Sequence, residues 1–168
     1  GGRPIVWHIM KAYSHFGYKH FILCLGYKGN YIKDYFLRHQ LLMHDFEIDL
    51  STNSTRLLAE NDKDDFKITF ADTGLETLTG ERLLKIAKYL EPHESFMLTY
   101  GDGVSDIDIK ALHDFHEARR QSQGVAVTLT GIHPKSKYGL VNHDADQIVT
   151  QFQQYPRLAD YTNGGFMV

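Results

Sequence analysis

The stretch Phe96-Met97-Leu98-Thr99-Tyr100-Gly101-Asp102-Gly103-Val104 constrains the chain most. A short apolar run rich in strand formers stops at a carboxylate held between two glycines. Without polar alternation, Phe96 to Tyr100 reads as a strand buried on both faces, the signature of a parallel sheet covered by helices. Asp102 then falls just past the carboxyl end of that strand, the rim where open α/β sheets take their ligands. Glycines on either side let the backbone turn sharply and let a polar ligand come close. One carboxylate at such a rim can hold Mg²⁺ through an oxygen while phosphates and water fill the other positions. A tight turn with a solvated aspartate fits the same residues.

The rest of the chain alternates around that strand. Pro4 suits a first helical turn, Val6, Ile9, Met10 and Tyr13 follow at helical spacing, and Gly17 ends the run. His20 to Leu25 predicts a strand that enters Gly26-Tyr27-Lys28-Gly29, a plain turn in which Lys28 is also a candidate phosphate contact. A helix from about Asn30 carries Ile32, Phe36 and Leu41, and Phe46 to Leu50 and Lys67 to Ala71 are strands. Between them, Ser51 to Asp65 reads as a loop or peripheral hairpin, with Asp62, Asp64 and Asp65 as a solvated acidic surface.

A helix with Leu83, Ile86, Ala87 and Leu90 on one face follows, with Thr77 or Thr79 as its cap. Arg82 falls in its first turn, where the helix dipole disfavours a cation. An anion bound there would remove the conflict, and exposure to solvent would make it cheap to bear. Asp106 caps a further helix carrying Ala111, Leu112 and Phe115, on which His113 and His116 read as helix-flank residues rather than a metal pair. Gly124 to Thr130 is a strand, and Tyr138 to Val141 with Gln147 to Phe152 form a hairpin. This order predicts an α/β chain with a largely parallel, three-layer sheet and a late antiparallel edge, in a single domain over residues 1–168.

Composition narrows the function classes. A formal net charge of −3 argues against sequence-blind nucleic-acid binding, which needs a basic surface. No apolar run approaches the ~20 residues that cross a bilayer, so no membrane partner is expected. Cys24 is the single cysteine, which excludes an internal disulfide and points to a reduced, cytoplasmic setting. Gly1-Gly2-Arg3-Pro4 is not an initiator sequence and Asn163 to Val168 stops as a strand begins, so the expectation is a piece of a longer polypeptide.

Five segments carry a resemblance. They are Arg3 to Lys11; Cys24-Leu25-Gly26-Tyr27-Lys28-Gly29; Asp72-Thr73-Gly74 with Thr77, Thr79, Gly80 and Arg82; Thr99 to Val104 with Asp106-Ile107-Asp108; and Asn163-Gly164-Gly165-Phe166. In this order the chain resembles the sugar nucleotidyltransferase family, and within it the branch that transfers a cytidylyl group to glucose 1-phosphate. The resemblance implies the Rossmann-like nucleotide-diphosphosugar transferase fold, incomplete at both ends. It implies CTP and α-D-glucose 1-phosphate as substrates, CDP-glucose and pyrophosphate as products, and Mg²⁺ as cofactor. It further implies a homo-oligomer and a place in nucleotide-sugar and O-antigen biosynthesis.

Carried over by motif, Asp102 is one of two metal-holding carboxylates and Arg82 a second catalytic group. Thr77 and Arg82 contact the nucleotide, Gly101 lets it approach, and Tyr138, Gly139 and Asn163 lie near the sugar phosphate. The substrate phosphate is already a nucleophile at neutral pH, so the absence of a Ser–His–Asp or Cys–His arrangement is consistent with this chemistry. The family's glycine-rich triphosphate loop and its second metal aspartate are not matched in these 168 residues, so the chain alone is expected to be inactive. The family also has a Glu-Lys-Pro whose lysine helps hold the phosphate. Here Gln154-Tyr155-Pro156 places Tyr155 at that position, with Arg157 the candidate substitute. Two other readings remain: a metal-dependent glycosyltransferase using Asp106-Ile107-Asp108, and a non-catalytic nucleotide- or sugar-phosphate-binding module.

Overall fold

The computed structural model describes residues 2–58, 64–90 and 95–168. Asp62 of the acidic cluster lies outside them. The chain divides into two compact units, Met10–Glu94 and Gly1–Ile9 with Ser95–Val168.

The helix α1 (Ile5–His15) begins after Pro4, whose carbonyl accepts from Trp7 N at 3.0 Å, and ends before Gly17, at φ 92°. Its buried residues are Trp7, Ile9, Met10 and Tyr13. Trp7 therefore joins the stripe expected from sequence, and Val6 stays half-exposed.

In the Met10–Glu94 unit, β1 (His20–Leu25) leads into α2 (Gly29–Met43). The hairpin β2 (Phe46–Asp49) and β3 (Ser54–Leu57) follows, then β4 (Lys67–Asp72) and α3 (Thr79–Ile86). Strands β1 and β4 pair in parallel from His20↔Lys67 to Leu25↔Asp72. This is the arrangement that a helical crossover between apolar strands imposes. The peripheral segment takes the hairpin form. In its turn the Asp49 carboxylate accepts Ser51 N at 2.8 Å and Ser51 Oγ at 2.6 Å. These hydrogen bonds, the hydroxyl's first, hold its pKa at about 2.

Asp64 is not the solvated charge expected. Its side chain is 10% exposed, and its oxygens take His39 Nε2 at 2.7 Å and Lys11 Nζ at 3.2 Å. Asp65 does sit at the surface, paired with Lys19. Buried residues of this unit include Met10, Tyr13, Leu25, Ala71 and Ile86.

In the other unit, β5 (Leu98–Thr99) and β6 (Leu129–Ile132) flank β9 (Thr162–Met167) in an antiparallel sheet, and β7 (Leu140–His143) pairs with β8 (Val149–Gln153). The central strand expected over Phe96 to Tyr100 is thus two residues long and runs antiparallel to β9. Phe96 is 42% and Tyr100 45% exposed, with Leu98 and Thr99 between them only half-buried, so this apolar run is not a strand covered on both faces. Helix α4 (Ile109–Gln123) is capped by Asp108, whose Oδ1 accepts Ala111 N at 2.9 Å; the cap expected at Asp106 falls two residues further on. Gly124 (φ 67°) ends that helix, and the strand expected from Gly124 begins only at Leu129. His116 is buried on α4 and its Nδ1 lies 3.0 Å from Thr128 Oγ1. Ile109, Phe166 and Val168 are buried with it. No described helix is long and apolar enough to cross a membrane.

Candidate functional site

The carboxyl ends of β1 and β4 build a polar cluster in the Met10–Glu94 unit. Register brings Leu25 opposite Asp72, so the next residue, Thr73, falls beside the Leu25 carbonyl. That carbonyl accepts Thr73 N at 2.9 Å, Thr73 Oγ1 at 2.9 Å and Arg82 Nη1 at 3.3 Å. Arg82 Nη1 also donates to Thr73 Oγ1, and Nη2 reaches the Leu75 carbonyl at 3.4 Å. The Thr73 hydroxyl is 98% buried with its residue and uses both its donor and an acceptor lone pair here. Arg82 is thus half-buried rather than simply turned out to solvent. It grips the rim, while Glu81 pairs with Lys85 at 3.1 Å.

Thr77 lies in the same cluster. Its hydroxyl donates to the Thr73 carbonyl at 2.5 Å and accepts Lys85 Nζ at 2.8 Å; Lys85 also reaches the Thr73 carbonyl at 3.0 Å. Neither Thr77 nor Thr79 caps α3. The cap position is Leu78, without a side-chain bond, because the Thr77 hydroxyl is already committed to Thr73. Two glycines make room for this packing. A Cβ on Gly26 would lie 2.8 Å from the Gly74 carbonyl oxygen and 2.9 Å from both Arg82 Nη atoms. Gly74 has φ 95°, and a Cβ there would sit 2.8 Å from Thr77 Oγ1. Next along β1, burial pushes the Cys24 thiol pKa up, partly offset by the Arg82 charge.

The other unit carries the remaining candidates. Asp102 occupies an exposed turn after β5, and a Cβ on Gly101 or Gly103 would meet nothing within 4 Å. No described group of three His, Cys, Asp or Glu residues converges on a point. One exposed carboxylate between open glycines does suit Mg²⁺, which takes one or two protein oxygens and completes its shell from water and phosphate. Asn163, on β9, donates from Nδ2 to the Tyr100 hydroxyl at 3.2 Å, and its Oδ1 accepts Gly165 N at 2.8 Å. Asn163 is therefore tied to the residue preceding Gly101-Asp102. Tyr138 and Gly139 lie just before β7. Tyr138 is 78% exposed, and Gly139 packs beneath Phe152, whose ring would be 2.6 Å from an added Cβ.

Sequence reasoning singled out Thr77 and Arg82 but missed Thr73 and Lys85, which complete their hydrogen bonds. The available signal was positional: Thr73 follows a strand end directly, and Lys85 is three residues after Arg82 on one helix face. Asp108 is spent on its cap, which leaves the Asp-x-Asp reading without structural support.

Residues 1–166 match the family model described as nucleotidyl transferase. The chain is 43% identical over 169 aligned residues to a glucose-1-phosphate cytidylyltransferase of Salmonella typhi, covering all of this chain and 63% of that protein. It is 40% identical over 168 residues to a probable glucose-1-phosphate cytidylyltransferase of Bacillus subtilis (strain 168), again covering 100% of this chain and 63% of the other. The chain thus spans less than two thirds of the length of the curated relatives it matches. With its parallel β1–β4 pair set among helices, and the match running from its first residue to β9, this α/β chain belongs to the nucleotidyl transferase family.

Proposed function

We propose that the protein transfers a cytidylyl group from CTP to α-D-glucose 1-phosphate, giving CDP-glucose and pyrophosphate. The observation that carries this is 43% identity along the whole chain to a protein named for that reaction. The reaction is an in-line displacement. A sugar phosphate oxygen attacks the α-phosphorus, the bond to the bridging oxygen breaks, and pyrophosphate leaves with the electron pair. The chemistry needs positioning and charge neutralisation rather than a protein nucleophile.

Asp102 is the residue that would hold Mg²⁺, which supplies Lewis-acid neutralisation of phosphate oxygens when bound. Gly101 keeps the backbone beside it free of side-chain bulk. In this reading Arg82 and Thr77 serve the nucleotide. The rim they build at the ends of β1 and β4 is rigid because Arg82, Thr73, Thr77 and Lys85 satisfy one another. Asn163 orients the sugar phosphate, held by Tyr100 on one side and Gly165 N on the other, and Tyr138 and Gly139 serve the same ligand in this reading. We assign the protein to a single nucleotidyltransferase domain that works as a homo-oligomer in the cytoplasm, where CTP and sugar phosphates are made. The product would feed nucleotide-sugar and O-antigen synthesis.

The test is pyrophosphate release from CTP plus glucose 1-phosphate by the full polypeptide. Release that needs both substrates and Mg²⁺ supports the proposal. Transfer from a nucleotide sugar without pyrophosphate would instead identify a glycosyltransferase, and metal-dependent nucleotide binding without product a binding module. The 168-residue chain by itself is expected to show no turnover.

A further inference from the structure

Tyr155 adopts φ 49°, a left-handed conformation that is costly for a bulky residue and is often held at functional sites. The segments on either side of it supply two cations of their own. Lys135 and Arg157 are partners in an isolated antiparallel bridge. The hydrogen bonds that make the bridge run from Ser136 N to Pro156 O at 2.8 Å and from Leu158 N to Pro134 O at 2.9 Å. The bonds therefore flank the Lys135–Arg157 pair rather than join it, which defines the non-hydrogen-bonded kind of cross-strand pair. In that kind the two Cα atoms are about 4.5 Å apart and the side chains leave the same face at their closest.

Like charges directly opposite in such a pair repel. Both side chains are exposed, and among the described residues neither takes part in an ion pair with a carboxylate. A backbone geometry that holds two unneutralised cations face to face is relieved by a shared dianion. A phosphate monoester, with three terminal oxygens, can accept from an ammonium and a guanidinium at once. Tyr138 and Gly139 follow Lys135 within four residues, so the pair belongs to the same stretch of chain as the residues assigned to the sugar phosphate.

We propose that Lys135 and Arg157 form a two-cation site for the phosphate of the sugar 1-phosphate. The inference rests on the proposed reaction for the identity of the ester, and on the bridge alone for the anion site. The experiment uses the full polypeptide, with Lys135→Gln, Arg157→Gln and the double variant. Thermal unfolding is followed against inorganic phosphate and glucose 1-phosphate, and steady-state KM values are measured for glucose 1-phosphate and CTP.

The expected results are a ligand-dependent rise in Tm for the wild type that the double variant lacks, and a glucose 1-phosphate KM raised about tenfold by each single change, with CTP KM within about twofold. An unchanged glucose 1-phosphate KM in the variants of an active protein overturns the site and leaves the reaction standing. Loss of the Tm response in the variants of a protein that releases no pyrophosphate supports the site and overturns the reaction. A raised CTP KM alone, or a wild-type Tm that responds to neither ligand, overturns the site.

Discussion

The Arg82 guanidinium donates through Nη1 to the hydroxyl of Thr73, and that hydroxyl donates in turn to the Leu25 carbonyl at 2.9 Å. A helix start, one strand end and the residue after a second strand are thereby fastened at one point. The relationship makes the rim's shape depend on a single buried hydroxyl.

Thr73→Val keeps the shape of that residue and removes its hydroxyl. It leaves Arg82 Nη1 and the Leu25 carbonyl each short of a partner in a site that is 2% exposed at Thr73. The expected loss is about 1–3 kcal/mol of stability, the cost of stranding buried polar groups. Thermal or urea unfolding checks it, and Thr73→Ser should recover most of the loss.

Gly26→Ala pushes a methyl against the Gly74 carbonyl at 2.8 Å and Arg82 Nη atoms at 2.9 Å. The carbonyl is backbone and cannot step aside. Destabilisation of about 1–3 kcal/mol is expected from overpacking. If the rim serves CTP, the CTP KM should rise more than the glucose 1-phosphate KM. Gly101→Ala, where an added Cβ meets nothing within 4 Å, should leave Tm unchanged.

Asp102→Asn tests the carboxylate with almost no change of volume. Asp102 is exposed and packs into no core, so its Tm should match the wild type within about 0.5 kcal/mol of stability. Turnover of the full polypeptide should fall by about 100-fold or more if the carboxylate holds Mg²⁺. Equal rates would remove Asp102 from the site.

Glu117 sets a pH dependence. Its carboxylate accepts Arg120 Nη2 at 2.8 Å and Ser95 Oγ at 2.6 Å, and the Arg120 bond, then the Ser95 bond, hold its pKa at about 2. A folded pKa below the unfolded value of about 4.3 contributes stability that is fully present above the unfolded value. That contribution is lost as pH falls from about 5 through the folded pKa near 2. Glu117→Gln should therefore lower Tm at pH 7 and flatten its fall below pH 5, measured by calorimetric scans across pH. Asp49, with its pKa also at about 2 from the Ser51 bonds, contributes in the same window, so some slope should remain.

Local patterns were readable wherever one chain segment decides the outcome. The Pro4 start and Gly17 stop of α1, the six-residue β1, and the two late strands β7 and β8 follow from propensity, periodicity and turn chemistry. Capping was misread twice for one reason. A threonine or aspartate near a helix start has several backbone partners within reach, and sequence does not say which it takes. Thr77 bonds to Thr73, and Asp108 rather than Asp106 meets Ala111 N. Asp64 looked solvated because its partners, Lys11 and His39, lie far away in sequence.

The sequence alone determined that this is an α/β chain of the nucleotidyl transferase family, and it named Asp102, Arg82, Thr77 and Asn163 as the residues to watch. Those conclusions rest on residue type and spacing, which the chain carries along its length. Only the tertiary structure decided what the side chains do: that Arg82 is bound to Thr73 and Leu25, that Lys85 supports Thr77, and that Lys135 faces Arg157. Strand register and chain reversal bring these distant residues together. Hydrogen bonds and charge repulsion act over a few ångströms of space, whatever the separation in sequence.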